Sequence, residues 1–298
     1  MSRNKIIYIM VAFFTGVMLF VMIGTYAGIM GIDRPIVKDY AAIAKAKQLP
    51  GASVSANQAA LVNAATGEML FGKNEHQKAY PASTTKIMTA LVALEICEEQ
   101  GISLEQEVVI PKEATLVEGS SIYLKTGEKI KIRDLLYGMM LRSGNDAATA
   151  VAMTLGGSYE SFLRRMNQCA QNMGCENTNF LNPTGLFDEN HYTTASDLAR
   201  ISVEAMKNQD FRDIVGCQSW ETSGEGESYR VFNNKNKTVY QYEGATGIKI
   251  GYTQNSGRTL VASSARGEHQ LICVVLNDGN WFNDAYRLMD YGYEVLAD

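Results

Sequence analysis

Basic residues and histidine are both scarce in this sequence. There are 27 Lys and Arg against 32 Asp and Glu in 298 residues, which gives a formal net charge of −5. Because no broad positive field results, a nucleic-acid backbone is not expected as a partner. The three histidines, His76, His191 and His269, are scattered, and none lies in a recognisable motif. Chemistry that relies on a histidine base is therefore not indicated.

The cysteines show no metal site or disulfide framework. They are five in number, and the close pair Cys169 and Cys175 lacks the paired CxxC spacing of a zinc site. Cys273 lies in an apolar run, where a thiol behaves as a small hydrophobic side chain. We therefore expect structural thiols, and no metal or other cofactor.

A long uncharged segment lies near the N-terminus. Arg3 and Lys5 precede it, and no charged side chain occurs from Ile6 to Ile32. As a helix this segment would measure about 40 Å, more than the roughly 30 Å hydrocarbon core, whereas a cleaved signal has an apolar region of about 7–15 residues. We expect residues 1–32 to be a single-pass anchor in the cell membrane, with the remainder on the extracytoplasmic side. The alternative is a signal peptide, whose cleavage would give a secreted protein.

The rest of the chain divides into a linker, residues 33–57, and a globular part, residues 58–298. A composition of 46% hydrophobic and 20% charged residues is typical of a protein with a full core. Hydrophobic spacing predicts the elements of the globular part: a hairpin at 59–63 and 68–71; helices at 83–99, within 132–174 with breaks near 142–145 and 156–157, at 194–206 and at 281–296; and strands at 246–253, 258–264 and 270–277. Strands at both ends of a helical middle predict one antiparallel sheet with helices on both faces.

Ser83 and Lys86 combine a hydroxyl and an amine three positions apart at the start of a predicted helix. That spacing puts them on one face, within contact of each other. A serine-x-x-lysine string alone is weak, since about one is expected by chance in a chain this long, and Ser2-Arg3-Asn4-Lys5 is a second copy. Order adds the specificity: Ser143-Gly144-Asn145 then interrupts a helical region, and Lys249-Ile250-Gly251 follows on a strand.

These motifs resemble those of the D-alanyl-D-alanine carboxypeptidases among the low-molecular-mass penicillin-binding proteins. The likeness runs from about residue 58 to the C-terminus and is carried by residues 81–90 (PASTTKIMTA), 143–147 (SGNDA), 182–186 (NPTGL) and 247–253 (GIKIGYT). It implies an α/β (α+β) protein with the β-lactamase/transpeptidase-like fold, an antiparallel sheet flanked by helices, with an inserted helical subdomain at about residues 100–190. The implied substrates are peptidoglycan stem peptides ending in D-Ala-D-Ala, with β-lactams as inhibitors.

Chemistry and resemblance together assign the catalytic roles. Ser83 is a weak nucleophile that needs a base. Lys86 can serve if burial, the helix N-terminus and the charge of Lys249 lower its pKa. The resemblance implies that Ser143 relays a proton to the leaving amine, and that Asn145 orients Lys86 and holds a substrate amide.

The third motif is expected to bind substrate. The resemblance implies an oxyanion hole made by the backbone N–H groups of Ser83 and Tyr252. Gly251 leaves the strand bare where the substrate backbone must lie. Lys249 supplies a cation for the terminal carboxylate, and Thr253 is a candidate hydroxyl.

Two features depart from the family pattern. Lys125-Thr126-Gly127 spells the third motif better than residues 249–251, but it precedes Ser143, so we expect Lys125 to be a solvated surface residue. Ile250 stands where the family has Thr or Ser, whose hydroxyl helps bind the carboxylate in relatives. Its absence removes a charge-assisted hydrogen bond of about 1.5–3 kcal/mol, so Ile250→Thr is expected to accelerate catalysis about ten- to a hundredfold. Alternatively, the cleft has repacked around Ile250 for another ligand.

Two other functions stay open. A β-lactamase-like hydrolase would share the fold, but the Glu-x-x-Leu-Asn string of the common class is absent between Ser143 and Lys249. A non-catalytic envelope protein that binds peptidoglycan is the other, motivated by Ile250. Many relatives also continue into a β-rich domain and a C-terminal amphipathic anchor. Since this sequence ends at Asp298, we expect the N-terminal segment to take the place of that anchor.

Overall fold

A computed structural model describes residues 52–223 and 228–297. The predicted membrane segment, residues 1–32, and most of the predicted linker lie outside the described residues. Within the described part, no helix combines the length and the apolar character needed to cross a membrane.

A five-stranded antiparallel sheet forms the centre of the fold. Its strands are β1 (Gln58–Asn63), β2 (Met69–Lys73), β7 (Ala245–Thr253), β8 (Gly257–Arg266) and β9 (His269–Leu276). Their order across the sheet is β2-β1-β9-β8-β7. The hairpin from the start of the globular part therefore joins the three C-terminal strands through the β1–β9 pairing. The predicted antiparallel sheet with strands from both ends of the chain is confirmed.

Helices cover both faces of this sheet. The predicted helices agree closely with observed ones, whereas the short helices at residues 209–216 and 238–241 were not predicted. The helices are α1 (Lys86–Gln100), α2 (Ile132–Leu141), α3 (Asn145–Leu155), α4 (Tyr159–Asn172), α5 (Ala195–Ala205), α6 (Gln209–Gly216), α7 (Thr238–Gln241) and α8 (Trp281–Leu296). The side chains of Ser158 and Thr194 start α4 and α5 by accepting backbone N–H bonds, as expected of N-cap residues.

Two small hairpins sit outside the main sheet and were not predicted. One pairs β3 (Glu107–Val109) with β4 (Lys129–Lys131), and the other pairs β5 (Ser219–Glu221) with β6 (Val231–Asn233). Strands of three residues are too short to show the alternation of apolar and polar side chains that marks a strand in a sequence.

The sheet separates two apolar clusters, because alternate side chains point to opposite faces. Ile272 and Val274 of β9 pack into the cluster that contains α1, whereas Cys273 and Val275 pack into the cluster beneath α8. All five cysteines are free thiols, four of them buried, in agreement with the expectation of structural thiols.

Candidate active site

Ser83 lies in a tight turn that leads into α1. Residues Ala82–Thr85 form one turn of 3-10 helix, and the α-helix proper begins at Lys86. Ala82 has a positive φ of 49°, a conformation that costs energy for a residue with a side chain and that is common at functional sites. The turn leaves Ser83 partly exposed while Lys86 is completely buried. The proposed nucleophile is thus accessible and its proposed base is not.

The Lys86 amine contacts three polar groups. Nζ lies 3.2 Å from Ser83 Oγ, 2.7 Å from Asn145 Oδ1 and 2.6 Å from the carbonyl oxygen of Thr184. A neutral amine has two N–H groups and one lone pair. The oxygens of Asn145 and Thr184 are carbonyl oxygens, which can only accept hydrogen bonds. They therefore accept the two N–H groups of the amine. The lone pair is then left for the Ser83 hydroxyl, which can donate its proton to it.

Burial keeps the pKa of Lys86 well below its ordinary value, because the ammonium form would lose its hydration. The positive charge of Lys249 lowers this pKa further, whereas the carboxylate of Asp146 acts in the opposite direction. Lys249 is itself 1% exposed, and burial, followed by the charge of Lys235, lowers its pKa to about 7. The predicted contribution of burial and of Lys249 to Lys86 is therefore present, and Lys235 adds a charge that no sequence motif marked.

Asn145 is held by backbone groups on the side away from Lys86. Its Nδ2 donates to the carbonyl of Glu118 at 2.7 Å, and its backbone N–H donates to the carbonyl of Ser120 at 2.7 Å. Because the amide has one donor end and one acceptor end, the bond to Glu118 turns Oδ1 towards Lys86. The contact expected between Asn145 and Lys86 is thus observed.

The carbonyl of Thr184 reaches Lys86 from a turn that begins at Asn182. The side chain of Asn182 accepts the N–H groups of Thr184, at 3.2 Å, and Gly185, at 2.7 Å. A Cβ on Gly185 would lie 1.8 Å from the carbonyl oxygen of Ala82, so only glycine lets the turn come this close. The sequence marked this turn as a family feature, but its contact with Lys86 uses a backbone atom and has no sequence signal.

Strand β7 forms the opposite wall of the site. A Cβ on Gly251 would lie 2.7 Å from the backbone nitrogen of Ser83, so the strand passes directly beside the nucleophile. Tyr252 follows, and this residue is 66% exposed. An oxyanion hole made by the N–H groups of Ser83 and Tyr252 requires the strand to pass this close to Ser83. The role of the two N–H groups as an oxyanion hole stays a prediction.

In the described part of the chain, two predicted site residues, Ser143 and Thr253, are not shown in contact with Ser83 or Lys86. Ser143 is 6% exposed, has a positive φ of 65°, and makes no hydrogen bond to Ser83 or Lys86 among the described residues. The Thr253 hydroxyl donates to Ser256 Oγ at 2.8 Å and accepts the Ser256 N–H at 3.0 Å, so it stabilises the β7–β8 turn. The roles of Ser143 and Thr253 towards substrate stay predictions.

The register of β7 gives Ile250 a different environment from its neighbours in the third motif. Lys249 is opposite Val261 on the α1 side of the sheet, whereas Ile250 is opposite Leu260 and packs against the cluster beneath α8. Ile250 is therefore accommodated by apolar neighbours, and the alternative of a cleft repacked for another ligand stays a prediction. Lys125, in the competing motif, is exposed as expected.

Comparisons with known proteins find relatives that match most of the chain. The family model for D-alanyl-D-alanine carboxypeptidases matches residues 43–280. The chain is 35% identical over 220 residues to the D-alanyl-D-alanine carboxypeptidase DacF of Bacillus subtilis, covering 74% of this chain and 57% of that protein. It is 32% identical over 252 residues to a D-alanyl-D-alanine carboxypeptidase of a Streptomyces strain, covering 78% and 86%. The crystal structure of a Streptomyces DD-transpeptidase matches with a TM-score of 0.76 and 31% identity, covering 83% of this chain and all of that one.

Proposed function

This chain belongs to the D-alanyl-D-alanine carboxypeptidase family, and we propose that it removes the terminal D-alanine from peptidoglycan stem peptides through an acyl-enzyme. One observation carries the proposal above all: a completely buried lysine amine lies 3.2 Å from a partly exposed serine hydroxyl, with two carbonyl oxygens in position to bind both of its N–H groups. In this arrangement a lysine, in the role that a histidine has in many serine enzymes, is the base that activates the nucleophile.

In the acylation step, Ser83 Oγ attacks the carbonyl carbon of the bond between the two D-alanines, and its proton passes to the Lys86 amine. The negative charge on the carbonyl oxygen is stabilised by the N–H groups of Ser83 and Tyr252. The C–N bond then breaks, and the nitrogen of the leaving D-alanine takes up the proton that Lys86 received, relayed by Ser143, so that Lys86 is neutral again. Water next attacks the ester, and its proton returns Ser83 to the hydroxyl form.

The charges at the site suit the ends of this substrate. Lys249 and Lys235 both act on Lys86 as positive charges, and the terminal D-alanine carries a carboxylate that they can attract. Attraction to that carboxylate favours an exopeptidase over an enzyme that cleaves within a chain.

The test is release of D-alanine from an N-acylated peptide that ends in D-Ala-D-Ala. The matched substrate ends in D-Ala-L-Ala, and the matched variant is Ser83→Ala. We expect release only by the wild type and only from the D,D peptide. Equal release by Ser83→Ala, or no release by a folded wild type, would contradict the proposal.

Penicillins are expected to acylate the same serine, because their ring carbonyl can occupy the position of the scissile peptide carbonyl. A carboxypeptidase retains the adduct, whereas a β-lactamase hydrolyses penicillin with many turnovers. Measuring penicillin hydrolysis against adduct lifetime separates the two functions. Adding an amino-acid acceptor to the D,D-peptide reaction shows whether an amine competes with water for the acyl group.

The proposed location is the cell membrane. The support is the uncharged segment from Ile6 to Ile32, preceded by Arg3 and Lys5. The segment would hold the catalytic part on the extracytoplasmic side, where peptidoglycan lies.

A further inference from the structure

The loop at residues 118–124 borders the active site and determines where Asn145 points. It contains no helix or strand, and it accepts both bonds that hold Asn145: the carbonyl of Glu118 binds Nδ2, and the carbonyl of Ser120 binds the backbone N–H. A shift of this loop would therefore move the amide oxygen that binds Lys86. The loop itself must be held by other groups.

One set of bonds fixes the loop to α3. The carboxylate of Asp146 accepts the N–H groups of Ile122, at 3.0 and 3.1 Å, and Leu124, at 3.1 Å, and the hydroxyl of Ser121 at 2.6 Å. Asp146 directly follows Asn145 in the first turn of α3, so the residue that binds the loop and the residue that binds Lys86 are neighbours in the same helix.

A second set of bonds comes from Arg230, just before β6. Its Nε donates to the carbonyl of Ile122 at 2.9 Å, and Nη2 donates to the carbonyl of Tyr123 at 3.0 Å. The same guanidinium pairs with both carboxylate oxygens of Glu128, at 2.6 and 2.9 Å. The two side chains are only 11% and 8% exposed, so salt screens the pair weakly, and its bidentate geometry fixes its orientation.

Glu128 directly follows Lys125-Thr126-Gly127, the string that spells the third motif at a position before Ser143. Residues Lys125-Thr126-Gly127-Glu128 form a turn in which Glu128 N–H donates to the Lys125 carbonyl, and the Glu128 carboxylate accepts the Lys125 N–H. The turn therefore presents an acid to Arg230.

Tyr123, in the middle of the loop, has a backbone conformation that tyrosine rarely adopts. Its φ is 61°, a left-handed conformation that is rare for a large side chain, and the residue is 82% exposed. Such a conformation persists only where surrounding bonds hold it, and the bond from Arg230 to the Tyr123 carbonyl is one of them.

We propose that Arg230 and Glu128 are positioning residues for the reaction: by holding the loop at residues 118–124, they keep the Asn145 amide, and through it the Lys86 lone pair, aimed at Ser83. This inference rests on the proposed function. It assigns a catalytic consequence to an ion pair that contacts neither Ser83 nor Lys86.

A double-mutant cycle on the rate of Ser83 acylation by a fluorescent penicillin tests the inference. We expect Arg230→Met to slow acylation about 10- to 100-fold in the wild-type background, but less than about threefold in an Asn145→Ala background, since the pair then has no amide left to position. The acid limb of the pH–rate profile should also move in the same direction in Arg230→Met as in Asn145→Ala. Equal losses in both backgrounds, or no loss in the wild type, would overturn it.

Controls separate positioning from folding and from the proposed function. Arg133→Met removes another Arg–Glu pair, the one with Glu105 on the surface, and should leave the rate unchanged. Glu128→Gln is nearly isosteric but removes the charge that orients the Arg230 guanidinium. It should therefore show the same dependence on Asn145, and it replaces Arg230→Met if that variant does not fold.

Hydrogen exchange provides a readout that needs no activity. The backbone N–H of Asn145, which donates to the carbonyl of Ser120 in the loop, should exchange faster in Arg230→Met and Glu128→Gln than in Arg133→Met. If the wild type is not acylated at all, the proposed function fails. If it is acylated and neither the rate nor the Asn145 exchange responds to the pair, only the positioning inference fails.

Discussion

At the scale of single residues, the site depends on a lysine that must be neutral. A matched substitution tests this requirement: arginine keeps the positive charge but cannot lose its proton near neutral pH. We expect Lys86→Arg to slow acylation by a factor of about 10² to 10⁴, the usual contribution of a general base, while Lys125→Arg has no effect. A comparable loss at the exposed Lys125 would mean that the catalytic lysine has been misassigned.

The direction of the pH dependence follows from the same residue. Lys86 acts as a base only when deprotonated, so acylation should rise with pH up to the pKa of Lys86 and level off above it. Because burial and Lys249 hold that pKa well below its ordinary value, the level region should begin far below the usual range of a lysine.

The side chains of the site were largely predictable, and its backbone groups were not. Ser83, Lys86 and Asn145 are brought together as their motifs predicted. The carbonyls of Thr184 and Glu118 complete the arrangement, but every residue has a carbonyl, so no residue type identifies them. Lys235 also lacked a signal, because its effect arises from a position reached only through the fold.

At the scale of elements, the alternation of β7 decides what Ile250 does. Ile250 packs against the cluster beneath α8, where a hydroxyl would meet apolar neighbours. We now expect Ile250→Thr to leave the rate of D-alanine release within about threefold of the wild type and to lower stability by about 1–2 kcal/mol. A ten- to hundredfold gain that disappears when the terminal carboxylate is amidated would instead show that the missing hydroxyl limits carboxylate binding.

His191 links the turn beside Lys86 to the segment containing Ser83. Its Nδ1 accepts the Leu181 N–H at 3.1 Å, so Nε2 carries the proton and donates to Thr85 Oγ1 at 2.8 Å. Burial lowers the pKa of His191 to about 4, and the nearby carboxylate of Asp188 opposes this shift only in part. The folded state therefore binds a neutral imidazole in a position that protonation would disrupt.

This depressed pKa predicts an acid-sensitive contribution to stability. The contribution is complete above the ordinary histidine pKa of about 6.5 and is lost as the pH falls through the folded value, with a total of roughly 3 kcal/mol. Urea unfolding at pH 7 and pH 4.5 should show the stability gap between wild type and His191→Gln shrinking at the lower pH. The exposed His76→Gln is the matched control, and a gap that stays constant would rule out His191 as the source.

Long elements were predicted within a few residues, but short ones were missed. Helices such as α8 show their spacing over several turns, whereas β3 to β6 have three residues each and are held by contacts made elsewhere in the fold. The loop at residues 118–124 is similarly invisible in the sequence, because its form depends on Asp146 and Arg230.

At the scale of the whole molecule, the strands β1 and β9 join distant parts of the chain into one sheet, and the helical middle brings Asn145 to Lys86. The antiparallel arrangement was predictable from where strand-like patterns occur. The pairing of β1 with β9 was not, because alternation along a strand does not identify its partner.

The proposed location is tested on the complete chain. An apolar spanning helix is indifferent to ionic strength, so the protein should stay with the membrane fraction after a high-salt wash and should retain residues 1–32. A soluble form that begins near Gly28 would show that the segment is a cleaved signal peptide.

Mass spectrometry of the protein after brief exposure to benzylpenicillin tests the central claim most directly, because it identifies the residue that attacks. Peptide mapping should place one intact penicilloyl group on Ser83, and the adduct should be absent from both Ser83→Ala and Lys86→Arg. An adduct on another residue, or one that forms equally in Lys86→Arg, would contradict the account in which a neutral Lys86 activates Ser83.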